Sequence, residues 1–299
     1  SGSADPAGDP GVASPGADDV TPPTRREWGS LALLTCALAL IVLDGTIVGV
    51  ALPTIIHDID LDLTDAQWVN SLYAVLLAAA LLSTGTLADR AGRKKIVLLG
   101  IAVFIAGSAL AAMSDSAGPM LAARAVQAIG ASFIMPSTLS TVNSMFRGRY
   151  RAAAFGIWGA VISGAAAIGP LAGGALTQWA SWHWVFIINI PIGILLFLLI
   201  IKVVPETRGE VTTPGFDTLG AVLSAVGFGA LVFAVIEGTD LGWWKPEAEF
   251  RIFGLHWSDT AAISPVPVAG AIAVVALVAF AFWELHRSRV GKAVLLDLG

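Results

Sequence analysis

The chain has 299 residues, of which 56% are hydrophobic and 13% are charged, and its formal net charge is −5 at pH 7. A soluble domain carries about 25% charged residues, and a soluble protein of this length could not bury so much apolar surface, so we expect the bilayer to be the solvent for most of the chain. The slight net charge gives no sign of a nucleic-acid partner, and one cysteine with four scattered histidines gives no sign of a disulfide framework, a metal site or a cofactor.

The first 27 residues are predicted to form a disordered tail on the cytoplasmic side of the membrane. Residues 1–24 are rich in Gly, Pro, Ala, Ser and Asp, and such a composition cannot bury enough apolar area to fold. The tail also lacks the cationic start and short apolar core of a secretory signal peptide.

Eight apolar runs that are long enough to cross a bilayer follow the tail. They cover residues 30–52, 67–88, 96–114, 119–142, 152–178, 184–204, 218–237 and 265–285. A helix of about 20 residues covers the hydrocarbon core, and a strand barrel is excluded because these runs are too long and do not alternate. The sequence therefore predicts an all-α integral membrane protein with eight crossings.

The basic residues orient these crossings. One set of connections carries Arg25, Arg26, Arg90, Arg93, Lys94, Lys95, Arg147, Arg149, Arg151, Lys202, Arg208, Arg287, Arg289 and Lys292, whereas the opposite set carries Lys245 and Arg251. Lys and Arg are retained on the cytoplasmic side of a membrane. We therefore expect a multi-pass protein of a bacterial-type inner (plasma) membrane, with both termini of this chain in the cytoplasm.

The connection between the second and third runs is the most specific local pattern in the chain. Residues 85–95 read G-T-L-A-D-R-A-G-R-K-K. The residues that carry the pattern are Gly85, Asp89, Arg90, Gly92, Arg93 and Lys94. The cations place this loop in the cytoplasm, and the glycines suit a tight turn between two helices.

Asp44, in the first run, and Arg124, in the fourth, are the two ionisable residues that lie well inside the apolar runs. Intramembrane charges are costly and usually functional. The rise per residue puts Asp44 about 12 Å and Arg124 about 7 Å from the outer ends of their helices, a difference that an Arg side chain can span. We expect the two to interact, directly or through water. Burial and a nearby cation act on a carboxyl group in opposite directions, which suits proton coupling; a static structural ion pair is the alternative.

Several polar and aromatic residues close to the charged pair are candidates for a substrate cavity. They are Thr46 in the first run, Trp68, Asn70 and Tyr73 at the start of the second, and Gln127 in the fourth. Aromatic faces suit hydrophobic cations. For Trp68 and Tyr73 the alternative is a role as anchors at the membrane interface.

The fifth run is rich in small residues and includes Gly169, Pro170, Gly173 and Gly174. Small side chains let a neighbouring helix approach closely, and Pro170 removes one backbone donor and bends the helix. Such a helix can rock against a partner with little interlock of side chains. Ordinary tight packing is the alternative.

The outer connection 238–264 is long and aromatic. It carries Trp243, Trp244, Phe250, Phe253 and Trp257. Because such residues favour the membrane interface, we interpret the segment as an interfacial loop that anchors the last two helices. The alternative is a role in gating or substrate entry.

Together these patterns resemble the drug/proton antiporters of the major facilitator superfamily, in particular the branch with fourteen helices. From about Leu43 to Leu298, residues 43–53 are similar to the first-helix pattern L-D-x-T-I-V-N-V-A-L-P, residues 85–95 to the loop pattern G-x-L-A-D-R-x-G-R-K, and residues 182–193 to W-R-W-x-F-x-I-N-x-P-x-G. Leu121, Arg124, Gln127 and Gly130 are similar to the fourth-helix pattern, and Gly169, Pro170, Gly173 and Gly174 to the antiporter motif of the fifth helix. Gly49, Ala128 and His183 depart from the usual Asn, Gly and Arg.

The resemblance implies a six-helix N-terminal bundle over residues 28–204, built from 3+3 inverted repeats. A cytoplasmic linker, 205–217, and two additional helices, 218–285, would follow. Residues 286–299 would lead into a second six-helix bundle, so the C-terminal half of the same transporter is an expected partner.

The family also implies roles at the matching positions. Asp44 would carry proton or cation coupling with Arg124 in support. Asp89, Arg90 and Arg93 would latch the cytoplasmic side against the second half.

The function implied by the resemblance is proton-coupled multidrug efflux: an antiporter that exports lipophilic, often cationic compounds by alternating access, driven by the proton gradient. The lipid bilayer, protons and such substrates are the expected partners. Export of an endogenous lipid, siderophore or metabolite is the first alternative, and a non-transporting membrane scaffold is the second. An enzyme is not expected because the sequence shows no nucleophile–base–acid constellation, and a pore is not expected because it shows no ring of carboxylates or filter-like loop.

Overall fold

The computed structural model describes residues 20–211, 213–252, 254–296 and 298. Its helices are α1 (Arg25–Asp58), α2 (Leu63–Ala91), α3 (Arg93–Ala112), α4 (Ala117–Met145), α5 (Gly148–Trp179), α6 (His183–Ile187), α7 (Asn189–Val203), α8 (Thr218–Leu241) and α9 (Pro265–Arg289), and its strands are β1 (Phe250–Ile252) and β2 (Leu255–Trp257). Within the described residues, eight segments are long and apolar enough to cross a membrane, and α6 with α7 forms the sixth of them. The eight predicted crossings are confirmed as helices.

Helix α1 begins earlier than composition alone suggested. The Thr24 side chain accepts from the backbone N of Glu27 at 3.3 Å, and the Glu27 carboxylate accepts from the backbone N of Thr24 at 2.6 Å. This reciprocal pair is a capping box, which satisfies two backbone donors that the helix itself leaves free. Residues 25–27, assigned to the tail from composition, are therefore the first turn of α1; the predicted disorder of residues 1–19 lies outside the described residues.

Helices α1 to α7 form the six-helix bundle. The second helix of each three-helix unit packs on the first helix of the other unit, α2 on α4 and α5 on α1, as expected for two related repeats. Helix α3 lies very close to α4. A Cβ atom added at Gly130 of α4 would lie 2.6 Å from the backbone N of Phe104 of α3. Contact between the two backbones replaces the usual layer of side chains there.

Helices α8 and α9 form a pair of helices at the side of the bundle, the α8–α9 hairpin, which is distinct from the β-hairpin between them. They pack on each other, and α8 packs on α2. The outward face of α9 carries large apolar side chains, among them Val274, Val275 and Phe282, which are 63%, 69% and 70% exposed. A continuous apolar surface of this kind suits contact with lipid.

The bundle has two chemically different ends. One end carries the loop 85–95 and the linker 205–217, and we call it the basic end. There Arg26 Nε donates to the carbonyl of Val203 at 2.8 Å and Lys94 Nζ donates to that of Ile201 at 2.8 Å. The opposite end carries the strands β1 and β2, and we call it the hairpin end.

The outer connection 238–264 contains regular structure that its aromatic content did not predict. Helix α8 continues to Leu241, and β1 pairs with β2 in antiparallel register, with Phe250 opposite Trp257. Strands of three residues show too little alternation to be recognised in a sequence. The end of the connection is tied down by Ser264, whose hydroxyl donates to the carbonyl of Leu241 at 3.2 Å.

Candidate functional site

Asp44 lies inside the bundle and pairs with Arg124. Arg124 Nη1 donates to Asp44 Oδ2 at 2.7 Å, and the two side chains are 1% and 0% exposed for Arg124 and Asp44 respectively. The expected interaction is therefore present as a direct ion pair between α1 and α4. Removing one member of a buried pair typically costs about 3–5 kcal/mol, because the other charge is left uncompensated.

Three further polar side chains extend the hydrogen bonding around Asp44. Its Oδ1 accepts from Asn189 Nδ2 at 2.9 Å and from Gln127 Nε2 at 3.3 Å. Both amides also donate to Ser108 Oγ, at 3.2 and 2.9 Å, and Gln127 Oε1 accepts from Arg124 Nη1 at 2.7 Å. We call these five residues the Asp44 network; it joins α1, α3, α4 and α7.

Helix α2 holds the other side of Arg124. Arg124 Nε donates to the backbone carbonyl of Val69 at 2.9 Å, and the guanidinium carbon lies 4.4 Å from the centre of the Tyr73 ring, a cation–π contact. The Tyr73 hydroxyl is buried and has no hydrogen-bond partner among the described residues. A movement of Arg124 would therefore change its contacts with α2 as well as those with α1.

The five residues proposed for a substrate cavity lie in different places. Gln127 belongs to the Asp44 network, and Tyr73 covers the guanidinium group. The Thr46 hydroxyl donates to carbonyls of its own helix, and Asn70 is half-buried. Trp68 is the one of the five that lines the large cavity described next.

A cavity of about 890 Å³ lies between α2, α4 and the β-hairpin, within the size range of small-molecule sites. Trp68 is only 6% exposed, which favours packing over anchoring at the interface. Its ring stacks on Phe233 and tilts against Phe250, with 5.7 Å between ring centres in both cases. Most of the lining is apolar, and its ionisable members are Asp65, Arg251 and His256.

Gly169 and Gly173 are the contact points between α5 and α1. A Cβ atom at Gly169 would overlap the side chain of Thr46, and one at Gly173 would lie 3.1 Å from the carbonyl oxygen of Ile47. Gly174 faces open space and Pro170 is exposed. Close packing on α1 therefore explains two of the four residues of this motif.

At the basic end, the 85–95 motif closes a turn between α2 and α3. Arg93 Nε pairs with Asp89 Oδ1 at 2.8 Å, and Gly92 has φ +119°, a conformation that glycine adopts without strain. A Cβ atom at Gly85 would lie 3.6 Å from Pro136 of α4, an ordinary packing distance.

The same motif contacts the linker that follows α7. Arg90 Nη1 donates to the carbonyl of Thr213 at 3.1 Å. The Glu206 carboxylate accepts from the backbone N of Lys94 and Lys95 at 3.0 and 3.3 Å, at the start of α3, where the helix dipole favours an anion. In this structure the motif is bound by the chain's own linker, and its role as a latch against a second half stays a prediction.

Sequence reasoning missed two members of the Asp44 network. Asn189 is the one amide in the apolar run 184–204, and that isolation was a usable signal. Ser108 carries no such signal, because serine and threonine occur in several of the apolar runs. Neither residue's distance from Asp44 in space could be read from its position in the chain.

The structure also buries three acids that the sequence analysis did not single out. Glu237 on α8 and Glu284 on α9 are 3% and 0% exposed, and Asp217, which caps α8, is 2% exposed. These acids stand at the edges of apolar runs, where composition suggested helix ends near water. Packing of α8 against α2 and α9 buries them instead.

Comparisons with known proteins agree with this architecture. Residues 34–296 match the family described as Major Facilitator Superfamily. Puromycin resistance protein pur8 of Streptomyces alboniger is 37% identical over 75% of this chain and 44% of its own length, and multidrug efflux pump LfrA of Mycolicibacterium smegmatis is 37% identical over 74% of this chain and 44% of its own length. The chain thus spans about half the length of the curated relatives it matches.

Among solved structures, a bacterial homologue of the human lysosomal transporter Spinster, in an inward-facing and unoccupied conformation, has a similar fold. The TM-score is 0.55 at 23% identity, over 73% of this chain and 50% of that chain. At this identity the likeness supports the fold alone. With the family match over most of its length, the chain belongs to the Major Facilitator Superfamily, and drug-efflux proteins are among its relatives.

Proposed function

We propose that this chain is the N-terminal portion of a proton-coupled antiporter that exports lipophilic, often cationic compounds. Relatives named for drug resistance and multidrug efflux support this substrate class. The proposed location is a bacterial plasma membrane with the basic end in the cytoplasm, which the one-sided distribution of Lys and Arg supports.

The observation that carries the proposal is the buried Asp44 network. With Asp44 ionised, donors from Arg124, Gln127 and Asn189 hold α1, α4 and α7 together. A proton on Asp44 would neutralise the carboxylate, weaken the Arg124 pair and free the guanidinium for other acceptors. Protonation would then favour a different packing of these helices, and such a difference between states is what coupling requires, since equal binding to both states shifts nothing.

The cavity beside Trp68 is the proposed substrate site. Arg124 Nε is bonded to the carbonyl of Val69, the residue that follows Trp68, so a change in the Asp44 network reaches the cavity wall through α2. A carrier of this kind rocks its two halves around a site between them, and the C-terminal half is the proposed partner that completes the site.

The test uses inverted membrane vesicles that contain the parent protein and are acidified by respiration. Addition of a lipophilic cation such as ethidium is expected to dissipate the pH gradient in the wild type. Asp44→Asn keeps the size of the side chain but cannot take up the proton, so its vesicles are expected to show no response above the background of vesicles without the protein.

The matched control is Asp60→Asn, which makes the same chemical change at an exposed aspartate just beyond α1. Asp60 has φ 49°, a conformation that asparagine also tolerates, and the variant should respond like the wild type. A full response from a correctly inserted Asp44→Asn protein would contradict proton coupling at Asp44. Silence of the wild type towards a panel of cations would reject the cation substrates.

Export of an anionic metabolite by the same fold is the second candidate. The observation that favours it is the presence of Arg251 in the cavity lining, since a cation suits a negatively charged cargo; its guanidinium also pairs with Glu249 at 3.2 Å. The same vesicles distinguish the two candidates: an anionic substrate would be transported in the wild type and lost in Arg251→Gln, whereas ethidium transport would be unchanged or improved in that variant.

A further inference from the structure

Two buried carboxyl groups meet at the basic end of the α8–α9 hairpin, away from the Asp44 network. Asp217 is the N-cap of α8, and Glu284 lies in the last turns of α9. Asp217 Oδ2 and Glu284 Oε1 each lie 2.5 Å from the Cβ position of Gly220, so the two oxygens are near neighbours across this glycine. A side chain larger than hydrogen at residue 220 would separate them.

Donors surround Asp217 on both oxygens. Oδ1 accepts from the backbone N of Gly220 and from Trp283 Nε1, both at 2.9 Å. Oδ2 accepts from Trp283 Nε1 at 3.1 Å and lies 3.3 Å from Arg287 Nε. All of these partners are donors, so both oxygens of Asp217 act as acceptors.

Glu284 accepts hydrogen bonds on one of its two oxygens only. Its Oε2 accepts from the backbone N of Leu295 and Leu296 at 2.9 and 3.2 Å. Its Oε1 is buried and has no hydrogen-bond partner among the described residues, although the Asp217 carboxylate is beside it. Burying a carboxylate oxygen without a hydrogen-bond donor costs free energy, and a second carboxylate next to it adds repulsion. A proton on Oε1 removes both costs, because it neutralises Glu284 and supplies the missing donor.

We propose that Glu284 and Asp217 form a proton-binding site in which Glu284 carries the proton on Oε1 and donates it to Asp217 Oδ2. The proton's occupancy controls the segment 290–296, which Glu284 Oε2 holds through two backbone amides and Arg287 holds through the carbonyl of Ala293 at 2.7 Å. When the proton leaves, Glu284 Oε2 carries carboxylate charge and accepts from the two amides more strongly, so the segment is held more tightly to α9.

The charged groups around the pair come from several elements. Helix α9 contributes Arg287, which contacts Asp217, together with the exposed His286 and Arg289; the segment after α9 contributes the exposed Lys292; and α2, which packs on α8, contributes Arg90, bonded to the carbonyl of Thr213. The acids of α8, Glu237 and Asp240, lie at the hairpin end of that helix. Of these groups, His286 lies two residues from Glu284 on the same helix and therefore needs its own control.

The direct test is infrared spectroscopy of the protein in lipid nanodiscs, from mildly acidic to mildly alkaline pH. The wild type is expected to show a protonated-carboxyl C=O band that is lost as the pH rises. Glu284→Gln should lack this band, whereas Asp44→Asn and Glu237→Gln, which remove the other buried acids of the helices described above, should keep it. A wild type without such a band, or a Glu284→Gln protein whose titrating band equals that of the wild type, would overturn the proposal.

Asp217→Asn tests the pairing independently, since asparagine remains a good N-cap for α8. Without the neighbouring anion, Glu284 should give up its proton more easily, so the band should persist and disappear at a lower pH. An unchanged titration would show that the two carboxyls do not share a proton.

Hydrogen–deuterium exchange of residues 290–296 tests the consequence for the chain. After correction for the intrinsic effect of pH, exchange in the wild type should slow as the pH rises, because ionised Glu284 is the stronger acceptor for the amides of Leu295 and Leu296. Glu284→Gln should abolish this pH response, because the amide of glutamine accepts from Leu295 and Leu296 and donates to Asp217 at every pH. His286→Gln should keep the wild-type response, and its loss there would assign the effect to the histidine instead.

Discussion

At the scale of single residues, the Asp44 network pairs two opposite charges inside the bundle and surrounds them with hydrogen bonds. Arg124 contacts Asp44, Gln127, the carbonyl of Val69 and the ring of Tyr73. An arginine can do this because its planar group offers five donors in fixed directions, which a lysine cannot match. The site is therefore sensitive to the loss of the cation and less sensitive to the joint loss of both charges.

We expect Arg124→Met to lower the free energy of unfolding by about 3–5 kcal/mol, because Asp44 is left buried without its cation. Adding Asp44→Asn to the same protein removes the orphaned charge and should recover most of that loss. Denaturant unfolding of the purified single and double variants in detergent measures the coupling. Strict additivity of the two changes would mean that the side chains do not interact.

At the scale of elements, the contact between α1 and α5 depends on which glycines of α5 face α1. Gly169 and Gly173 lie against Thr46, Ile47 and Val50, whereas Gly174 has no atom within 4 Å of its Cβ position. Composition could identify α5 as a helix for close packing, but it could not distinguish these positions. The difference provides a matched pair of substitutions.

Gly169→Ala is expected to destabilise the protein by about 1–3 kcal/mol, because the new methyl group overpacks the contact with Thr46. Gly174→Ala should be neutral or stabilising by about 0.5–1 kcal/mol, since alanine is the better helix former. Thermal unfolding in detergent compares the two, and Thr46→Ala should partly rescue Gly169→Ala. Equal effects at both glycines would argue against the α1–α5 contact described above.

At the scale of the whole molecule, charge divides the bundle into two ends. The basic end holds the loop 85–95, the linker that binds it and the Glu284–Asp217 pair, while the hairpin end holds β1, β2 and the cavity. The orientation of the bundle in the membrane therefore decides which compartment each of these sites faces.

Cysteine labelling in intact cells checks this orientation. In a Cys36→Ser background, which removes the single cysteine of the chain, a membrane-impermeant maleimide should label Asp259→Cys at the hairpin end and should not label Lys95→Cys at the basic end. Both positions are exposed, so both should react after the membrane is permeabilised. The reverse labelling pattern would place the basic end outside.

The number of membrane-length helices, the family and the pairing of Asp44 with Arg124 were all predictable from the sequence alone. These features are local, because the free energy of placing a helix in lipid sums over about 20 consecutive residues and a charge inside such a run is conspicuous wherever it occurs. Helix ends were less predictable, since a capping box at Thr24 outweighed the polar composition of residues 25–27. The strands were missed because three residues are too few to show a period.

Only the tertiary structure decided which residues share a site. The partners of Asp44 lie 80 and 145 positions away along the chain, at Arg124 and Asn189, and the α8–α9 hairpin buries Glu237, Glu284 and Asp217 although they flank apolar runs. Hydropathy records how each residue partitions between water and lipid, whereas burial of a polar group depends on which helix packs over it. That choice is made by close contacts such as those at Gly130 and Gly169, and it appears only once the helices are assembled.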